Sequence, residues 1–231
     1  MGSNALSFLY LQYIMCWSFE VSLGTLIFAT VGSIYLYGRN EPNDRLYALY
    51  IFTIGLMQGA DALAWYSIDN AMPALNKISA ILSAIFIILP TPAIYWYLHK
   101  MTGDKIYLNV FFAFAVYMLF VGCWIWYKYD SFKITLNPTC KDQCHLEWSW
   151  LYKMTDVKYW IVFITYSLLM AYPLWLFNDK RQYLMIGIPV ATLLYALYKF
   201  GNTNAWGSYW CSIINLWVLG AIFGKSIRPS T

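Results

Sequence analysis

An all-α, polytopic membrane protein built as a bundle of seven spanning helices is the fold class this sequence predicts. Three observations predict it. Of 231 residues, 61% are hydrophobic and 20% aromatic. Only 11% are charged, against about 25% in an ordinary soluble domain. The few charges stand in clusters between apolar runs close to the ~20 residues that a spanning helix requires. A soluble fold of this length would hide its apolar residues in one core and still need a charged surface. Residues 1–231 therefore read as one membrane domain with the lipid bilayer as its partner. The net charge of +4 is small and scattered, which argues against nucleic acid.

The seven apolar segments lie near 16–37, 46–68, 73–98, 106–127, 157–177, 182–199 and 204–224, each bounded by charge, Pro, Gly or Asn. The stretch SFLYLQYIMCWSF carries the first one back towards Ser7. The N-terminus has no basic region, short apolar core and small-residue cleavage site in succession, so this segment is expected to stay in the mature protein. The shortest segment is 182–199, and six spans follow if it does not cross. Pro90 and Pro92 interrupt the third, Pro173 the fifth and Pro189 the sixth. Each removes a backbone donor, so neighbouring helices are expected to satisfy the freed carbonyls.

Orientation follows from Lys and Arg in the short loops. One side holds Arg39, Arg45, Lys100, Lys105, Lys180, Arg181, Lys225 and Arg228, the other only Lys77 and Lys199. The positive-inside rule puts the first side in the cytoplasm, with the N-terminus outside and the C-terminus inside. The long connection from Lys128 to Asp156 is then external. Its Cys140 and Cys144 are disulfide candidates, with each other or with another chain. The EWSWLY that follows reads as an aromatic belt at headgroup level.

Ionisable groups within spanning segments are costly and mark candidate sites. At ~1.5 Å per residue, Glu20, Asp61, Lys199 and Ser208 come out roughly 22–26 Å above the cytoplasmic face, in one layer. Gln58 is one turn below Asp61 on the same face. In GNTNAWGSYWCSIINLW, Asn204, Ser208, Ser212 and Asn215 recur at helical spacing and form one stripe. Lipid offers such a stripe no hydrogen bonds, so it is either a cavity wall or a seam between helices. Asp61 is the central acid, Glu20 and Gln58 support it, Lys199 is the counter-ion, and Asn204 and Ser208 form the opposite wall. Glu20 and Lys199 also suit snorkelling into headgroups.

Cofactors are argued against. The last segment lacks the lysine that would hold retinal, and the two histidines, His99 and His145, fall on opposite sides, too few for a zinc hydrolase. Ser208 and Ser212 have no histidine at their depth to act as base. The third segment ends YWYLHK, without an acidic-Arg-Tyr motif, and the last lacks Asn-Pro-x-x-Tyr. Any likeness to receptors is therefore architectural. The combination of RLYALYIFTIGLMQGADALAW with NAWGSYWCSIINLW resembles a group of small seven-helix membrane proteins from large DNA viruses and algae. That group has no established activity, so the resemblance implies a fold and a setting and supplies no site residues. The expected function is passage or sensing of a small polar solute or ion through a polar cavity in the outer half. The alternatives are a non-enzymatic assembly protein acting through lateral contacts, homo-oligomeric ones included, and a lipid-modifying enzyme using Asp61.

Overall fold

The structure, a computed structural model, describes residues 18–136, 145–151, 157–176, 181–213 and 215–224, without the side chains of 157–159, 162 and 212. Cys140 and Cys144 lie outside them. The helices are α1 Phe19–Arg39, α2 Asp44–Asp69, α3 Pro73–Ile88, α4 Pro90–Thr102, α5 Lys105–Tyr127, α6 Val157–Leu176, α7 Arg181–Phe200, α8 Trp206–Ile213 and α9 Leu216–Phe223. Among the described residues, six spans are long and apolar enough to cross a membrane: α1, α2, the α3–α4 pair, α5, α7 and the α8–α9 pair. Within α6, Phe163–Leu176 is a shorter apolar helix.

Local chemistry sets the ends. Ser18 caps α1, accepting from the Val21 N–H. Asn40, in the left-handed region at φ 53°, closes it. Gly103 takes φ 71° after α4, a conformation that costs a residue without Cβ little, and Asp104 then caps α5 through the Ile106 N–H at 2.9 Å. Pro90 divides α3 from α4 at Leu89. Among the described residues the structure departs from an all-α chain at a hairpin: β1, Ile134–Leu136, pairs antiparallel with β2, Leu146–Trp148, in register Ile134 to Trp148.

α2 is the central element. It packs on α1, on α3 and α4, and on α8 and α9, and its buried side chains run from Asp44 to Ser67. Gly55 lets α1 approach it, since a Cβ there would stand 2.7 Å from that of Ala29. One core cluster gathers Tyr47, Tyr50, Leu98, Met185 and Trp217, and the other gathers Met57, Trp65, Leu146, Trp148 and Cys211 at the hairpin end. α5 contrasts with α2: of its 23 residues only Ile125 is buried.

The turn loosened by Pro173 is satisfied from neighbouring helices, and carbonyls near Pro90 and at Pro189 also receive side-chain donors. Pro173 displaces the N–H that would bond the Leu169 carbonyl, and Tyr95 donates its hydroxyl there at 3.2 Å while Tyr50 donates to the adjacent Met170 carbonyl. Tyr166 donates to the Ile87 carbonyl beside Pro90, and Trp210 donates to the Pro189 carbonyl at 3.2 Å. In hydrocarbon an unsatisfied carbonyl costs several kcal/mol, on the order of what unfolds a marginal bundle.

Candidate functional site: a buried carboxylate beneath the hairpin

Helical spacing places Gln58 and Asp61 on one face of α2, both inside the bundle at 0% and 1% exposure. The Asp61 carboxylate is held from two sides. Trp148 of β2 donates from Nε1 to Oδ1 at 3.1 Å, and Ser208 of α8 donates from Oγ to Oδ2 at 3.1 Å. Both donors are neutral, and no Lys, Arg or His forms an ion pair with Asp61 among the described residues. One turn along, Thr25 of α1 donates to Gln58 Oε1 at 2.8 Å, while the buried Gln58 Nε2 has no partner among the described residues.

The hairpin reaches Asp61 because both of its sides are tied to α3, β1 through Asn76 and Trp150, just after β2, through Ser83. Asn76 behaves as an extra rung: its Nδ2 donates to the Ile134 carbonyl at 3.0 Å and its Oδ1 accepts the Ile134 N–H at 2.9 Å. Ser149 accepts from the Lys133 N–H and donates to the Ser131 carbonyl, both at 2.9 Å. Trp148 and Trp150 stack, with centroids 5.3 Å apart and planes 12° from parallel. Trp150 donates to Ser83 of α3 at 2.9 Å. Gly207 leaves room for the indole, since a Cβ there would stand 2.8 Å from Trp148 Cζ3. Next to the hairpin, His145 is buried edge-on against Phe200 and Tyr209 at 4.4 and 5.0 Å. That burial pushes its pKa down to about 4.

The structure brings Asp61, Gln58 and Ser208 together and leaves the other candidates elsewhere. Glu20 is exposed in the first turn of α1, where Ser18 donates to it at 2.6 Å. Lys199 is exposed and forms no ion pair with Glu20 or Asp61 among the described residues. The outer end of the stripe is not helical, because α8 begins only at Trp206. Asn204 lies in the turn before it, with a buried Oδ1 that has no partner among the described residues. Asn215, just before α9, donates from Nδ2 to the Cys211 carbonyl at 3.1 Å, and the Ser212 side chain lies outside the described residues. Asp61 is on the wall of neither principal cavity, both of which are lined mainly by apolar side chains. The Ser208 contact is thus a hydrogen-bonded seam. Trp148 also departs from the sequence reading, since it is fully buried and plugs the bundle instead of joining a belt.

Sequence reasoning missed a second charged site at the opposite end. Asp44 accepts from Arg39 through Nε at 2.7 Å and Nη2 at 2.8 Å, and from Arg181 through Nη1. The same arginines donate to the last carbonyls of α9: Arg39 to Ile222 at 2.9 Å, and both to Ala221 at 3.3 Å. Cations at a helix C-terminus are favourable. The cluster therefore clamps α1, α2, α7 and α9 together, and two of the charges counted for orientation carry a carboxylate partner. The available signal was the pair Arg39 and Asp44 flanking a four-residue turn with Asn40 and Asn43 at positive φ. Comparison with protein-family models and with curated proteins found no match to this chain.

Proposed function

We propose that the chain crosses the membrane seven times, with α6 as the remaining span, the N-terminus and the hairpin outside and the C-terminus in the cytoplasm. In this reading it senses or passes a proton or small cation at Asp61. The observation that carries it is a carboxylate 1% exposed at membrane depth with two neutral donors and, among the described residues, no cation paired with it. An asparagine would form the same seam without the cost of an acid, which is high in hydrocarbon. A carboxyl group there either holds a proton or takes a cation, and each exchange alters its bond to Trp148, so the hairpin responds to its state. Gln58 and Thr25 continue the polar line between α1 and α2. The whole-chain layout also supports kinship with the small seven-helix proteins of large DNA viruses and algae. A lipid-modifying role gains nothing from this geometry, because the acid is covered on both sides.

The test is flux in liposomes under an imposed proton or potassium gradient, read by an internal dye. Wild type is expected to exceed empty vesicles, and Asp61→Asn, which keeps the seam, to fall to their level. Equal traces for all three overturn the reading. A second reading, lateral assembly of copies of this chain, is favoured by α5, which leaves nearly its whole length uncovered. A strictly monomeric particle in both mild detergent and nanodiscs would remove it.

A further inference from the structure

A cavity of about 110 Å³ lies at the junction of α2, α3, α4, α6, α7, α8 and α9. Its wall includes Met57, Met170 and Met185, the prolines Pro90 and Pro189, and Trp217. Two of the polar groups on it are occupied, the Tyr166 hydroxyl by the Ile87 carbonyl and the Trp210 indole by the Pro189 carbonyl, and Ser167 also lines it. Trp217 is the fully buried donor among them. It is 4% exposed, and its indole N–H is buried with no acceptor among the described residues. A buried donor left unmade is costly, and an indole buried in a core ordinarily finds a partner.

We infer that this cavity binds a small, mainly apolar molecule carrying one hydrogen-bond acceptor, which Trp217 Nε1 engages. The volume sets the size, since an apolar cavity of about 150 Å³ takes up a benzene-sized guest and stays dry when empty. Water is a poor occupant, because a buried water needs about three polar partners and the wall is overwhelmingly apolar. Methionine side chains are long, unbranched and polarisable, so three of them let the wall conform to a flat or a linear guest. The acceptor gives orientation, as a single polar group does in most apolar pockets. The inference rests on none of the residues assigned to Asp61. Met57 and Cys211 on its wall are nevertheless one turn from Asp61 and Ser208, which makes occupancy visible to the hairpin end.

The test uses the full chain in lipid nanodiscs with 4-fluorobenzaldehyde, observed by fluorine NMR. Competition by unlabelled benzaldehyde separates site binding from partition into lipid. Wild type is expected to show a saturable component displaced by benzaldehyde, and more weakly by toluene, which has the same shape without the acceptor. Trp217→Phe keeps an aromatic ring and deletes the N–H, so the aldehyde should bind roughly tenfold more weakly while toluene is unchanged. The unchanged toluene arm reports that the variant is folded. Ala171→Leu, which fills the cavity, should remove both. The proposal is overturned if wild type shows no saturable component, if Trp217→Phe leaves the aldehyde unaffected, or if Ala171→Leu leaves binding intact. None of these outcomes depends on flux through Asp61.

Discussion

Asp61 and Asp44 lie on one helix, seventeen positions apart, and meet opposite solutions to the same problem. Asp44 has two guanidinium groups, and Asp61 has an indole and a hydroxyl. Mutation should separate them. Removing the acid from the first site leaves two buried cations facing each other, so Asp44→Ala should destabilise more than Arg181→Met. The latter breaks one buried pair at about 3–5 kcal/mol. Thermal unfolding in detergent measures the order, and an Arg181→Met protein less stable than Asp44→Ala would contradict the clamp. The sequence singled out Asp61, Gln58 and Ser208 because polar groups are rare in apolar runs. Their neighbours were illegible: Trp148 approaches from 87 residues away, a separation that no periodicity encodes.

At the scale of elements, the hairpin is the part that periodicity could not supply. Each strand is three residues long, too short for alternation to stand out. It persists because Asn76 and Ser149 bond its backbone and Trp148 fills a slot opened by Gly207. Burial of His145 gives this element a pH dependence. Its pKa falls from the ordinary 6.5 to about 4, so the undocked state binds a proton between these values that the docked state does not. Docking therefore weakens as pH falls from 6.5 towards 4 and levels off below, since stability falls wherever the open state holds more protons. Hydrogen exchange of the hairpin amides should show this loss, and His145→Phe should flatten it. An unaltered slope in the variant would assign the effect elsewhere. The prolines were legible as interruptions, whereas the tyrosines that answer them were not, because each comes from a different helix.

At the scale of the whole molecule, the prediction is one of sidedness. Epitopes at the two ends of the chain should be accessible from opposite faces of intact cells, the N-terminal one from outside. Both on one face would mean an even number of spans and would displace α6 from the membrane. The apolar segments read from the sequence fall on helix, the third on α3 with α4 and the last on α8 with α9, and among the described residues six are long and apolar enough to cross a membrane, because a bilayer demands a spanning helix of nearly fixed length that satisfies its own backbone. That demand acts locally, so composition, spacing and charge at segment ends were enough to determine helicity, the apolar spans and the positions at which polar groups interrupt them. Only the tertiary structure decided which of those polar groups meet. It joined Asp61 to Trp148 and Ser208, left Glu20 and Lys199 at the surface, paired Asp44 with two arginines, and enclosed a cavity beside an unanswered indole. The physical reason is that helix rotation and hairpin docking are set by packing between segments distant in sequence, where complementary shapes and hydrogen-bond partners select one arrangement from many that the local pattern allows.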